Sequence, residues 1–107
     1  MPCTVRIDNN KYIQRFFSKH GQLEADIRHN IQHTLPEIIE HRPHKIKPAY
    51  HLKRGNRTIL EYKIVVGSHN FRAAYTQAGE DVELFYISST TIKREFVKEL
   101  AGTTLVD

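Results

Sequence analysis

Hydrophobic and polar residues repeat with two different periods along the chain, and the change of period separates a helical part from a sheet part. A short segment at 4–7 predicts a first strand, after which Asp8 or Asn9 offers an N-cap oxygen to a helix. The apolar positions of this helix stand at near-helical spacing, at Tyr12, Ile13, Phe16 and Phe17. Gly21 predicts its end, because glycine readily adopts the left-handed conformation that closes many helices.

A longer second helix is predicted over residues 22–40. Apolar residues recur along it every three to four positions, at Leu23, Ile27, Ile31, Leu35 and Ile38/Ile39. Pro36 lies inside this stripe and predicts a kink or a new turn, because proline removes a helical hydrogen bond. Residues 41–57 show no period, and two prolines and a glycine interrupt them. We expect a long loop there, with a short strand near 50–53.

Beyond residue 57 the period becomes that of strands. Three β-branched and aromatic segments, 58–66, 71–76 and 82–87, are separated by short turns, which predicts an antiparallel meander. A C-terminal helix is predicted from Ser88 onward by apolar residues at steps of four, Ile92, Phe96 and Leu100. The order of elements predicts one α+β domain over residues 1–107. In it, the N-terminal strand and the helical hairpin pack on a three- to four-stranded antiparallel sheet, and the C-terminal helix follows.

Length and composition limit the classes of protein to which the chain can belong. Its 107 residues are 39% hydrophobic and 26% charged, which is ordinary for one globular domain. The sequence has no run of about 18 apolar residues for a membrane-spanning helix, and its start lacks the apolar segment of a secretory signal. Its one cysteine, Cys3, predicts neither an internal disulfide nor a Cys-rich zinc site. We therefore expect a cytoplasmic protein that does not contact a membrane.

The net charge of +4 is distributed unevenly along the chain. Residues 41–63 contain seven lysines and arginines but only one acid, Glu61, so this segment carries +6 and the rest of the chain sums to −2. Such an excess can neutralise phosphates, and the interleaved Tyr50 and His51 can stack on unpaired bases. The predicted nucleic-acid-binding residues are Lys45, Lys47, Lys53, Arg54 and Arg57. The alternative is a charged surface that is merely solvated.

Other familiar site chemistries have weak support. His29 and His33 lie four residues apart on the second helix, but beside its apolar stripe and without the HExxH pattern of zinc peptidases. Two further histidines, His41 and His44, extend the basic loop more readily than they hold zinc. The five glycines are scattered at turns and form no phosphate-binding loop. The sequence therefore predicts no metal and no cofactor.

Strand alternation predicts a second group of cations on the sheet. Lys63 and Arg72 share the face that points away from the packed aromatic residues, and two more cations begin the C-terminal helix. Cleavage of RNA by its own 2′-hydroxyl needs a base, an acid and cations that stabilise the charged phosphorane. The candidate catalytic residues are Arg72, Lys63, Lys93, Arg94 and, as acid or base, His69. The alternative is that Arg72 pairs with Glu61 or Glu83 across the sheet.

The second half of the chain carries a short family pattern. Residues 71–75, Phe-Arg-Ala-Ala-Tyr, follow a strand with a basic residue and a short turn. This hairpin, residues 62–75, resembles the central hairpin of the RelE/ParE toxin superfamily, whose strand reads aromatic-Arg-x-x-Tyr. Residues 82–88 resemble the last strand of that family, and residues 93–96 resemble the basic helical ending of its HigB-like branch. The resemblance covers roughly residues 58–98.

The resemblance implies a bacterial toxin of a type II toxin–antitoxin system, namely an mRNA endoribonuclease that works on the ribosome without a metal or cofactor. A cognate antitoxin protein neutralises such toxins, and contact with DNA is expected only through the toxin–antitoxin complex. By position, Arg72 matches the arginine that contacts the scissile phosphate, and Lys63 matches a lysine of the preceding strand. Val65 stands where the ribosome-dependent branch often has a second lysine. Two alternatives stay open, a ParE-like toxin that binds gyrase without cutting RNA and a non-catalytic nucleic-acid-binding domain.

Overall fold

The computed structural model describes residues 3–107, and this part of the chain forms five strands and three α-helices. The elements are β1 (Thr4–Ile7), α1 (Lys11–Lys19), α2 (Glu24–His41), β2 (Lys47–Arg54), β3 (Arg57–Val66), β4 (His69–Ala78), β5 (Asp81–Ser88) and α3 (Lys93–Ala101). Short 3₁₀ turns at Gly21–Leu23 and Pro43–Lys45 precede α2 and β2. None of the helices within residues 3–107 is both long and apolar enough to cross a membrane.

The strands form one sheet in the order β1-β5-β4-β3-β2. Strand β1 runs parallel to β5, with Val5 opposite Val82, and the other neighbours are antiparallel. The predicted α+β class is confirmed, but the prediction of a three- to four-stranded antiparallel sheet is wrong, because residues 3–107 form a mixed sheet of five strands. The chain passes through both helices and the meander between β1 and β5, so local sequence could not reveal their pairing.

The predicted long loop at 41–57 is also corrected, because residues 47–54 of it form the strand β2. The pairing of β2 with β3 changes register between Pro48 and Lys53, which breaks the alternation that would have marked the strand. The segment pairs at its two ends, where Lys47 lies opposite Glu61 and Arg54 lies opposite Arg57. This strand places the basic segment along one edge of the sheet.

Helices α1 and α2 cover one face of the sheet, as their apolar stripes require. Their residues Phe16, Ile27 and Leu35 pack with Ile64 and other buried side chains of the strands. The cap of α1 is Asn10 instead of Asp8 or Asn9, since its side-chain oxygen accepts from the backbone N–H groups of the second and third helical residues at 2.9 and 3.0 Å. Helix α2 runs through Pro36 and continues to His41.

Helix α3 covers part of the opposite face. Its fully buried Phe96 and Leu100 pack with Ala74 and Phe85 of the central strands. The helix begins at Lys93 instead of Ser88, because β5 continues as far as Ser88 and a short connection follows it. The start of α3 therefore lies beside the sheet face that carries Arg72.

Candidate nucleic-acid interface

A buried carboxylate lies on the sheet face that α3 partly covers. Glu61 of β3 is only 3% exposed. Two residues later comes Lys63, which the strand register places directly opposite Arg72 of β4. Because alternate residues of a strand share a face, and opposed residues of paired strands do too, all three side chains project from the same side of the sheet.

Arg72 is bound to groups of the protein by three of its nitrogens. Its Nη1 donates to Glu61 Oε1 at 2.7 Å, while Nε and Nη2 donate to the backbone carbonyl of Thr91 at 3.0 and 2.7 Å. The structure thus has the arrangement that the sequence left open as an alternative, with Arg72 paired to Glu61. The other suggested partner, Glu83, pairs with Arg6 and lies 3.5 Å from Arg54.

Lys93, the first residue of α3, is the second cation held by Glu61. Its Nζ lies 2.9 Å from Glu61 Oε2 and donates to the carbonyl of Pro48 at 2.7 Å. Glu61, Arg72 and Lys93 form what we call the Glu61 triad, which has a net charge of +1. The side chains of Arg72 and Lys93 are 22% and 33% exposed, so an anion in solution can approach both.

An exposed aromatic ring stands beside the triad. The Nζ of Lys93 lies 5.0 Å from the ring centre of Tyr50, which is 52% exposed. The backbone of Tyr50 has φ +50°, a left-handed conformation that bulky side chains rarely adopt. Such a conformation costs roughly 1–3 kcal/mol and is found mostly at functional sites. The irregular section of β2 therefore holds an aromatic ring in solvent next to Lys93, one of the two cations of the triad.

Lys63 lies in a groove with a lysine from the other predicted set. The groove has a volume of about 480 Å³ and opens beyond the point where β2 stops pairing with β3. It is lined by Lys63, Lys45, Ile38, Ile46, Tyr62 and Val65. Both lysines are exposed. Because they line the same groove, the tertiary structure brings one catalytic candidate and one RNA-binding candidate together.

Two other catalytic candidates are not brought to the triad. The ring of His69 stacks on Phe71 at 6.3 Å between centroids. Phe71 belongs to the core beneath α1 and α2, so His69 lies on the opposite face of the sheet from Arg72. Arg94 is exposed on α3 and forms no ion pair within residues 3–107.

Four of the five predicted RNA-binding residues are exposed, namely Lys45, Lys47, Lys53 and Arg57. The fifth, Arg54, is used inside the protein. It donates to the carbonyl of Leu105 at 3.0 Å, and its guanidinium carbon lies 4.7 Å from the ring centre of Phe85. Arg54 therefore anchors the C-terminal segment to β2 and has little freedom to contact RNA.

A basic stripe on α1 was not among the predicted features. Its members are spaced by four residues, at Lys11, Arg15 and Lys19. Side chains four residues apart lie on the same side of a helix, and this spacing was a signal that could have been found. The pairing of Arg72 with Glu61 was an alternative that strand alternation offered, but the contact of Glu61 with Lys93 had no local signal, because Lys93 comes from α3.

The Glu61 triad is suited to binding an anion and poorly suited to moving a proton. The Glu61 side chain is buried, and each of its carboxylate oxygens lies next to a cation of the protein, so a substrate hydroxyl cannot reach it. Arg72 and Lys93, in contrast, can share their charge with a phosphate oxygen. Within residues 3–107, no group of three or more His, Cys, Asp or Glu side chains is placed to hold a metal ion.

Comparison with known proteins does not assign the chain to a family. Neither protein-family models, nor curated proteins, nor solved structures give a significant match to it. The strands and the cationic face described above are therefore the basis on which a function can be proposed.

Proposed function

We propose that this protein is a RelE/ParE-like toxin of a type II toxin–antitoxin system that binds single-stranded RNA on the sheet face carrying the Glu61 triad. The observation that carries the proposal is Tyr50, an exposed ring held in a costly backbone conformation beside Lys93. Stacking on an unpaired base is an interaction that such a ring can make whatever the sequence of the strand.

The charges around Tyr50 support a nucleic-acid partner. Lys47 and Lys53 extend from the same strand, and Lys45 and Lys63 share the neighbouring groove. Cations spread along a strand neutralise successive phosphates and release the counterions condensed on them. Tyr50 would then stack on one base while these lysines follow the backbone.

Cleavage of mRNA by this face would require a change at Arg72. As catalyst, Arg72 would exchange its bond with Glu61 for a bond with the scissile phosphate, and Lys63 and Lys93 would support the developing charge. A cognate antitoxin would neutralise the toxin by covering this face. The binding step has stronger support than the cleavage step, because three nitrogens of Arg72 are already bonded.

The experiment compares the wild-type protein with Tyr50→Asn and Tyr50→Phe. Asparagine tolerates the left-handed backbone and has no ring, whereas phenylalanine keeps the ring, so the pair separates stacking from backbone strain. Binding of a fluorescent single-stranded RNA is measured by anisotropy at several salt concentrations. We expect Tyr50→Asn to weaken binding by roughly 5- to 150-fold, the equivalent of about 1–3 kcal/mol of stacking, and Tyr50→Phe to bind nearly as the wild type.

Equal RNA binding by both variants would contradict the proposed interface. The toxin assignment is tested separately by induced expression with primer extension on cellular mRNA. Discrete cuts support an endoribonuclease, while growth arrest without cuts supports the gyrase-binding alternative. If there are neither cuts nor arrest but RNA binding is sensitive to salt, the protein is a non-catalytic RNA-binding domain. The bonds of Arg72 to Glu61 and to the carbonyl of Thr91 are the observation that favours this second candidate.

A further inference from the structure

A second polar cleft opens where β1 ends, between α1 and α3. Strand β1 pairs with β5 only as far as Ile7 and Leu84, and β5 continues to Ser88 without this neighbour. The space left beside the end of β5 is a cleft of about 270 Å³. It lies apart from Tyr50, but the connection after Ser88 leads directly from it to Thr91, the residue that binds Arg72.

One wall of the cleft consists of hydroxyl groups gathered by a carboxylate. Ser88 and Thr90 donate to Glu99 at 2.6 and 2.8 Å, and the hydroxyl of Tyr86 donates to it as well. Burial by itself would raise the pKa of Glu99, but the hydrogen bonds from these three hydroxyls lower it overall. The hydroxyl protons are used, and Ser88 Oγ already accepts from the backbone N–H of Thr90 at 3.0 Å, so the oxygens of Thr90 and Glu99 are those left to accept hydrogen bonds from a ligand.

The opposite wall donates hydrogen bonds and carries positive charge. Arg15 and Lys19 of α1 line the cleft, and neither forms an ion pair with any part of the chain that the structure describes. His20 stands next to them, with its ring 4.5 Å from that of Phe16. The two cations outnumber Glu99, so the cleft has a net positive lining with its charges on separate walls.

We infer that this cleft is a ribonucleotide-binding site, with the phosphate against Arg15 and Lys19 and the ribose hydroxyls donating to Glu99 and Thr90. The volume is slightly below the roughly 300–1,000 Å³ of sites that hold drug-sized molecules, which suits one nucleotide unit. Donors on the ribose match the acceptor wall, and the 2′-hydroxyl is the group by which a protein tells RNA from DNA. The inference deepens the proposed function and rests on it, since it adds a ribose-selective contact to RNA binding.

The test uses uridine 5′-monophosphate with the full-length protein, and follows backbone amide signals by NMR. We expect the nucleotide to shift the signals of Ser88, Ser89 and Thr90, and 2′-deoxyuridine 5′-monophosphate and inorganic phosphate to bind about tenfold more weakly. The variant Arg15→Gln/Lys19→Gln should bind the nucleotide about tenfold more weakly. In this variant, the slope of the logarithm of RNA affinity against the logarithm of salt concentration should become less steep by roughly 0.7 for each phosphate that is no longer neutralised. Lys11→Gln is the control, because Lys11 is exposed on α1 but does not line the cleft.

The outcomes separate this site from the interface at Tyr50. Absence of shifts at 88–90, or equal weakening of nucleotide binding by Lys11→Gln and by Arg15→Gln/Lys19→Gln, overturns the ribonucleotide site. In that case the loss of RNA binding in Tyr50→Asn would still support the proposed function. If the nucleotide binds the cleft but Tyr50→Asn binds RNA normally, the ribonucleotide site stands and the proposed interface is wrong.

Discussion

Replacement of Arg72 by methionine tests whether the Glu61 triad holds the fold together. Methionine keeps much of the apolar volume of the arginine stem near Phe96 but removes the charge and the donors. The substitution leaves the buried Glu61 with one cation, Lys93, and takes two donors from the carbonyl of Thr91. We therefore expect a loss of stability that is larger than for a surface residue.

The magnitude follows from burial. Two unit charges about 4 Å apart attract by roughly 4 kcal/mol at an effective dielectric constant of 20. Removal of one partner from a fully buried ion pair costs about 3–5 kcal/mol. Here Lys93 remains, and the Arg72 side chain is already 22% exposed, so the cost should be lower. We expect Arg72→Met to lose about 2–3 kcal/mol of unfolding free energy, which is a fall in Tm on the order of 10 °C.

The measurement is urea unfolding monitored by circular dichroism, with unchanged m-values as the sign that the same structure unfolds. Lys63→Met is the matched control, since it removes an exposed positive charge directly opposite Arg72 on the neighbouring strand. We expect the control to lie within about 0.5 kcal/mol of wild type. A double-mutant cycle with Glu61→Gln should give a coupling energy of about 1–3 kcal/mol, because the two side chains are in contact.

Two results would refute this reasoning. If Arg72→Met is as stable as Lys63→Met, or if its effect adds to that of Glu61→Gln without coupling, Arg72 is not held by the buried carboxylate. Arg72 would then be free to meet a phosphate, and the case for a catalytic arginine would become stronger. The stability of this variant must be known before any loss of RNA cleavage in it can be interpreted as loss of a catalyst.

Three further changes test other parts of the structure. Asn10→Ala should lose about 1–2 kcal/mol in urea unfolding, because it removes the cap of α1. Phe96→Ala should lose about 3–5 kcal/mol by the same assay, since the ring is fully buried. Hydrogen bonds from the backbone amides of Asn56 and Gly55 lower the pKa of Asp107. This interaction therefore stabilises the fold fully at pH values above the ordinary aspartate pKa of about 3.9, and it is lost as the pH falls through the lower pKa of the folded state. Amide exchange at Gly55 and Asn56 should therefore lose protection at low pH, and Asp107→Asn should lose the same protection at neutral pH.

Much of the fold could be predicted because its signals are local. The stripes of α1 and α2 and the β-branched segments of the meander depend on spacings of two to four residues, which a sequence displays directly. The same alternation predicted that Lys63 and Arg72 share a face, in agreement with the register of β3 and β4. The prediction for His69 placed it in the turn after Val66. In the structure β4 begins at His69, and the alternation of the strand points its ring to the same side as Phe71.

The candidate site was harder to predict because its contacts join distant segments. Arg54 and Arg72 look alike in sequence as cations of the basic half. In the structure, Arg54 is tied to Leu105, and Arg72 is tied to Glu61 and Thr91. The number of an arginine's five N–H donors that remain for a ligand depends on the internal acceptors around it, and therefore on which strands and helix ends become neighbours.

The sequence by itself determined the α+β class, the helical hairpin, the meander and the concentration of positive charge between residues 41 and 63. Only the tertiary structure decided that β1 joins β5, that β2 carries a strained Tyr50, and that Glu61 gathers two of the predicted catalytic cations. The physical reason is the range of the interactions. Periodicity and turn chemistry act over a few residues, whereas strand pairing and burial of a charge bring together segments that are tens of residues apart.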